Sequence, residues 1–216
     1  MPELPKHIEP RWPAMIALLA VGGLRLALPH ELSAGPDWLM LVIIGMLIIF
    51  YLGALQVRNY RLCMVLGYLQ LVLVTADMAF SLYRLIAALP THTQAPTALL
   101  RSAAALWITN IIVFASWYWR LDAGGPHARE MRGVHTDGAF LFPQMTLNSE
   151  ARITMGEEFW SPGFIDYLFL AFNTSTAFSP TDSPVLTRWA KVLMMLQALI
   201  SFTTVALLAA RAVNIL

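Results

Sequence analysis

From Trp38 to Leu55 the chain carries no Asp, Glu, Lys, Arg or His. A helix rises about 1.5 Å per residue, and roughly 20 apolar residues cross the hydrocarbon core of a bilayer. That run is therefore a membrane span, and it is not alone. Val185 to Leu216 is uncharged between Lys191 and Arg211, Leu62 to Leu89 holds only Asp77 and Arg84, and Thr97 to Trp119 is interrupted by Arg101. The last of these closes on Trp117, Tyr118, Trp119 and then Arg120, the order a helix shows where it leaves lipid for headgroups. Pro13 to Leu28 is shorter and contains Arg25. Lys6 and Arg11 before it resemble the flank of a secretory signal, but no small-residue cleavage site follows, so it reads as a retained helix.

Composition agrees. Charged residues make up 12% and hydrophobic ones 58% of 216, whereas a soluble domain carries about 25% charge. A net charge of +1 gives no reason to expect nucleic acid as a partner. The single cysteine, Cys63, excludes an intramolecular disulfide and any multi-cysteine metal site.

Residues 122–162 differ in character. Gly124, Gly125 and Pro126 end the fourth span, His127 to Asp137 reads as charged and exposed, and Phe140 to Pro143 is a short apolar patch expected at the interface. Ser161-Pro162 predicts a helix start, serine as cap and proline in the first turn. The apolar run that follows, Phe164 to Phe178, would be roughly 22 Å of helix, marginal for a crossing. It is either a short tilted span or a re-entrant helix. The expected architecture is an all-α polytopic transmembrane bundle of about six helices, the fifth short, forming one membrane domain over 1–216. Within it, residues 1–121 form a four-helix part, 122–162 a cytoplasmic or interfacial loop and 163–216 a helical hairpin.

Loop charges give an orientation. Lys6 and Arg11 precede the first helix, Arg58 and Arg61 follow the second, and Arg120, Arg129 and Arg132 follow the fourth, while the intervening turns lack Lys and Arg. By the positive-inside rule that side is cytoplasmic, in a bacterial inner membrane, and six crossings return the C-terminus to it. Arg188 and Lys191 then fall at the outer end of the last helix, against the rule.

Polar groups inside apolar spans are expensive. Asp77 and Arg84 lie two turns apart on one helix face, too far to pair with each other. Asp77 is an ion or proton site, or it pairs with a basic residue on another helix, Arg25, Arg101 or Arg211. Asn110 and Gln197 are mid-span and read as interhelical hydrogen-bonding groups. The histidines lie in flanks and loops without metal-ligand spacing, and Glu157, Glu158 and Asp166 read as a charged helix entry. No phosphate loop, nucleotide fingerprint or nucleophile motif occurs, so neither a cofactor nor catalysis is expected.

The stretch from Asp166 to Asp182, DYLFLAFNTSTAFSPTD, resembles the pore helix and filter of potassium channels, in which an aromatic-rich short helix leads into T-x-T-T-V-G-Y-G-D. Thr174, Thr176 and Asp182 fall on matching positions without a gap, and Arg188 to Val213 resembles the inner helix of the small bacterial members. The filter departs where it matters. Ser179 and Thr181 stand at the glycine positions and Pro180 at the tyrosine position, and proline fixes φ and removes an amide hydrogen. A filter built from rings of backbone carbonyls is not expected. What the resemblance implies is a less selective conduit for a monovalent cation, lined by the hydroxyls of Thr174, Ser175, Thr176 and Ser179. It needs a homo-oligomer, because one hairpin cannot enclose a path. The tail is also similar to uncharacterised bacterial membrane proteins of the DUF1345 type, through Phe142-Pro143, Asp166-Tyr167, Asp182, Arg188 and Val213-Asn214; this is the better match. Two alternatives stand beside the pore: a non-conducting scaffold that binds a partner in the lipid bilayer, and a small transporter with Asp77 as coupling site.

Overall fold

The computed structural model describes residues 9–32, 35–88, 96–132, 138–156, 160–177 and 183–213. The fold is all-α. Among the described residues the only β pairing is an isolated antiparallel bridge between Phe140 and Val185. Among the described residues four stretches are long and apolar enough to cross a bilayer, Leu39–Gln56, Tyr60–Ala88, Thr97–Arg132 and Arg188–Ala210. Large apolar side chains such as Ile49, Phe50, Val65, Leu199 and Phe202 face outward. Helices with this surface belong in lipid, and the protein is membrane-embedded.

The chain forms two compact units, Ala14–Val113 with Ile200–Leu216, and Met1–Pro13 with Phe114–Leu199. In the first of these lie α1 (Trp12–Arg25) from Ala14 onward, α2 (Leu39–Gln56) and α3 (Tyr60–Ala88). The α2–α3 turn is tight. Arg58 takes φ 53°, and the Asn59 side chain accepts the Leu62 amide at 3.1 Å, capping α3. Tyr51, Ala54 and Cys63 pack at its closed end with Met15, Leu55 and Leu66. Further along, Gly22 of α1 lies so close to α2 that a Cβ there would sit 2.8 Å from Leu41 Cδ1 and 3.0 Å from its Cα. Small residues at helix crossings permit such approach in membranes.

α4 (Pro96–Leu121) and α9 (Arg188–Val213) each run through both units. The second unit holds their segments from Phe114 and up to Leu199. It also holds the short helices α5 (Pro126–Arg132), α6 (Pro143–Thr146) and α7 (Ser149–Thr154), and α8 (Phe164–Ala177). α4 stops where Ala123, Gly124 and Gly125 take φ of 50°, 79° and 89°. A Cβ on Gly125 would stand 2.8 Å from the Arg120 carbonyl oxygen, so only glycine fits this reversal. α8 begins at Phe164, later than Ser161-Pro162 suggests, because the Asp166 carboxylate accepts the Gly163 amide at 2.8 Å and holds the first turn there. At 14 residues, α8 spans only about 21 Å, short of a bilayer core of about 30 Å.

Candidate functional site

Where α4 ends, three parts of the second unit meet. Asp122 is fully buried and accepts from the Ala139 amide with one oxygen and from the Tyr167 hydroxyl, at 2.6 Å, with the other. Arg129, 5% exposed, donates through Nη1 to the carbonyls of Trp119 and Asp122, both at 2.8 Å. They lie at the α4 C-terminus, where the Asp122 carbonyl also accepts the Gly125 amide at 2.9 Å, and a cation there suits the helix dipole. Through Nε and Nη2 the same guanidinium grips Glu9 at 2.9–3.1 Å, while its face lies 5.3 Å from the Tyr167 ring centre. The Trp119 indole also donates to Glu9, and Arg11 pairs with Glu130 at 2.8 Å. A buried ion pair of this kind is stable only when its remaining donors and acceptors are satisfied; here Arg129 uses all three of its nitrogens.

Over this ionic joint lies an aromatic one. Phe140, fully buried, contacts the rings of Tyr118, Phe142, Tyr167 and Trp189 at centroid distances of 5.2–6.4 Å. The bridge beside it is closed by Leu141 donating to the Pro184 carbonyl (2.9 Å) and Leu186 to the Ala139 carbonyl (2.8 Å). A cavity of about 250 Å³ opens at the same level, among Gly124, Arg132, Ala139, Thr187 and Trp189. So the foot of α8, the start of α9 and the end of α4 share one level.

Deeper along the helices, Gln197 ties the three together. Its amide nitrogen donates to the Ala171 carbonyl (2.7 Å) and to Ser175 Oγ (2.8 Å), and its oxygen accepts from the Tyr118 hydroxyl (2.5 Å). Gln197 stands eight residues beyond Trp189, about 12 Å of helix, and Ala171 and Ser175 stand about 6–12 Å beyond Tyr167. α8 and α9 therefore advance in the same direction from the common level. The chain leaves that level at Phe164 and is back at it by Val185.

The sequence-derived candidates fall as follows. Thr174 is buried and donates to the Leu170 carbonyl of its own helix at 2.8 Å; Ser175 is buried under Gln197; Thr176 is exposed and donates to the Phe172 carbonyl at 3.0 Å. Ser179, Pro180, Thr181 and Asp182 lie outside the described residues. Asp77 forms an ion pair with Arg25, one of its three candidate partners. Arg84 is exposed, 6.0 Å from the centre of the Phe80 ring, and Asn110 is fully buried. Gln197 is an interhelical donor, and an acceptor as well.

Sequence reasoning missed Glu9 and the role of Arg129. The His127–Asp137 stretch reads as a solvated charge run, yet Arg129 within it is buried. Phe140 to Pro143, expected at the interface, supplies the centre of the aromatic joint. An aromatic pair flanking Leu141 on a brief apolar patch was the available signal. In comparisons with known proteins, no family model, curated sequence or solved structure matches this chain.

Proposed function

We propose that residues 164–199 form a re-entrant pore hairpin and that the protein is a channel-like membrane protein working as a homo-oligomer. One observation carries this reading: the start of α8 and the start of α9 both stand at the end of α4, while both helices run away from it together. A segment that enters and leaves by one face cannot count as a crossing. Irregular backbone at membrane depth is tolerated where it lines a water-filled path or is buried in protein. The order of outer helix, short inward helix, return and inner helix supports the resemblance of Thr174, Thr176 and Asp182 to a pore sequence. Ser179, Pro180 and Thr181 argue against potassium selectivity, so the permeant class is a monovalent cation with little discrimination. Kinship with the DUF1345 type is compatible with this reading and lends it no activity.

The hairpin also changes the topology expected from hydropathy. α1 is no longer than α8, but the apolar Leu26, Ala27 and Leu28 extend its run, and with α2, α3, α4 and α9 it makes five crossings rather than six. The N-terminal segment stays on the basic, cytoplasmic side of an inner membrane, and the C-terminus moves to the opposite side. Arg188 and Lys191 then join the other loop charges, while Arg25 and Arg101 stay near the opposite helix ends and Arg211 moves to that side with the C-terminus.

A second reading, the non-conducting scaffold, is favoured by the internal bonding of Thr174 and Ser175. Recording from the purified protein in a planar bilayer separates the two. A pore gives a cation current that Thr176→Val alters, from a protein that is oligomeric in detergent. A silent, monomeric protein establishes the scaffold instead. A C-terminal reporter active only on the cytoplasmic side would overturn the five-crossing topology.

A further inference from the structure

The strongest polar feature that the hairpin does not use lies on α3. Gln70, Asp77 and Ser81 are separated by seven and four residues, which places them within about 40° of one line along the helix. Gln70 is 4% exposed and Ser81 1% exposed, and among the described residues neither the Gln70 amide nitrogen nor the Ser81 hydroxyl has a hydrogen-bond partner. Between them Asp77 meets Arg25 of α1, whose side chain is 3% exposed. The rest of the buried face of α3, including Leu71, Val74, Met78 and Leu85, is apolar.

In hydrocarbon an amide or hydroxyl without a partner is strongly disfavoured, and native interiors leave few such groups unless water or an ion satisfies them. Two orphaned groups flanking an ion pair on one line of a membrane span are poorly explained by packing, because apolar residues of the same shape would pack there without the penalty. Internal water suits both groups. It can accept from the Gln70 amide and bond the Ser81 hydroxyl, and it supplies the remaining hydrogen bonds of the Asp77 carboxylate. We propose that the Gln70–Asp77–Ser81 strip binds internal water and, through it, admits a small hydrated cation to Asp77. The site is separate from the hairpin and stands or falls without it.

The test uses the silver ion, small, hydrated and thiol-reactive, on the full-length protein in detergent. Cys63 is first replaced by alanine, leaving no other thiol. Ser81→Cys is then compared with Val74→Cys, on the same buried face but apolar. The expected result is capture of silver by the first at least about tenfold faster than by the second, since reactivity follows access of the ion to the thiol. Equal rates overturn the proposal. A second measurement needs no cysteine. If the strip is hydrated, Gln70→Leu and Ser81→Ala leave the melting temperature unchanged or lower it, because each removes a water-bonded group. A rise in both variants shows dry, unsatisfied groups and overturns it as well.

Discussion

The polar groups that join the helices differ between the two units. In the unit around α8, the polar groups that join its helices are saturated. Arg129 serves Glu9 and two helix-terminal carbonyls, Asp122 serves an amide and a hydroxyl, and Gln197 spends both amide hydrogens and its oxygen. In the unit around α3, one ion pair stands between the Gln70 amide nitrogen and the Ser81 hydroxyl, neither of which has a hydrogen-bond partner among the described residues. A saturated network fixes one geometry, since any shift breaks several bonds at once. A sparse one leaves room for water and for change. α8 is fastened near its start by Tyr167 and along its length by Ala171 and Ser175.

Breaking the saturated side should cost most. Arg129→Ala removes the cation from a site where Glu9 is 5% exposed, leaves that carboxylate with the Trp119 indole as donor, and takes the guanidinium from the Trp119 and Asp122 carbonyls. Deleting one member of a buried ion pair costs about 3–5 kcal/mol. Thermal unfolding in detergent should show a large fall in midpoint or no folded protein. Arg129→Lys should recover only part, because an ammonium cannot reproduce the planar fork that meets Glu9 and the carbonyls together.

Next comes the ion pair of the sparse side. Asp77→Ala removes the carboxylate that Arg25 pairs with, a penalty that the remaining charge of Asp37 softens. If water reaches the pair, part of that penalty is relieved, and the loss should be smaller than at Arg129, measured in the same unfolding assay. Equal losses would erase the distinction between the two regions. The charge swap Arg25→Asp with Asp77→Arg should restore stability relative to either single change, by a coupling that a double-mutant cycle reads directly.

How much of this could be read from the sequence follows the range of the interactions. α2, α3, α4 and α9 are visible because hydropathy is local, and Tyr60–Ala88 lies within two residues of the run expected at Leu62 to Leu89. Asp77 announced itself as a charge in an apolar helix, and its partner Arg25 was among three named in advance. Gln197 was legible as a mid-span amide. Glu9 was not, because its partner lies 120 residues away and nothing near either residue marks it as buried. The burial of Phe140 was not legible for a related reason. Four apolar residues are too few to signal a core, and only the pairing of Ala139 and Leu141 with residues 184–186 draws them inside. The return of the chain to the end of α4 is likewise a property of contacts, invisible to a count of spans.

The smallest effect belongs to the clamp at depth, and it sharpens the comparison most. Gln197→Leu keeps the volume near α8 and α9 but leaves the Tyr118 hydroxyl without its acceptor, while the Ser175 oxygen loses one donor. Each orphaned buried hydroxyl costs about 1–3 kcal/mol. Ser175 accepts from Gln197 and does not donate to it, so its own hydroxyl hydrogen can bond the carbonyl four residues back with or without the amide, as Thr174 does toward Leu170. Tyr118 has no such local acceptor. The expected loss is therefore that of one hydroxyl rather than two, about 1–3 kcal/mol in total. Adding Tyr118→Phe should recover stability on the Gln197→Leu background while costing stability on the parent. If the second change costs the same on both backgrounds, Gln197 is not what fastens α4 to the hairpin, and the foot at Tyr167 holds α8 alone.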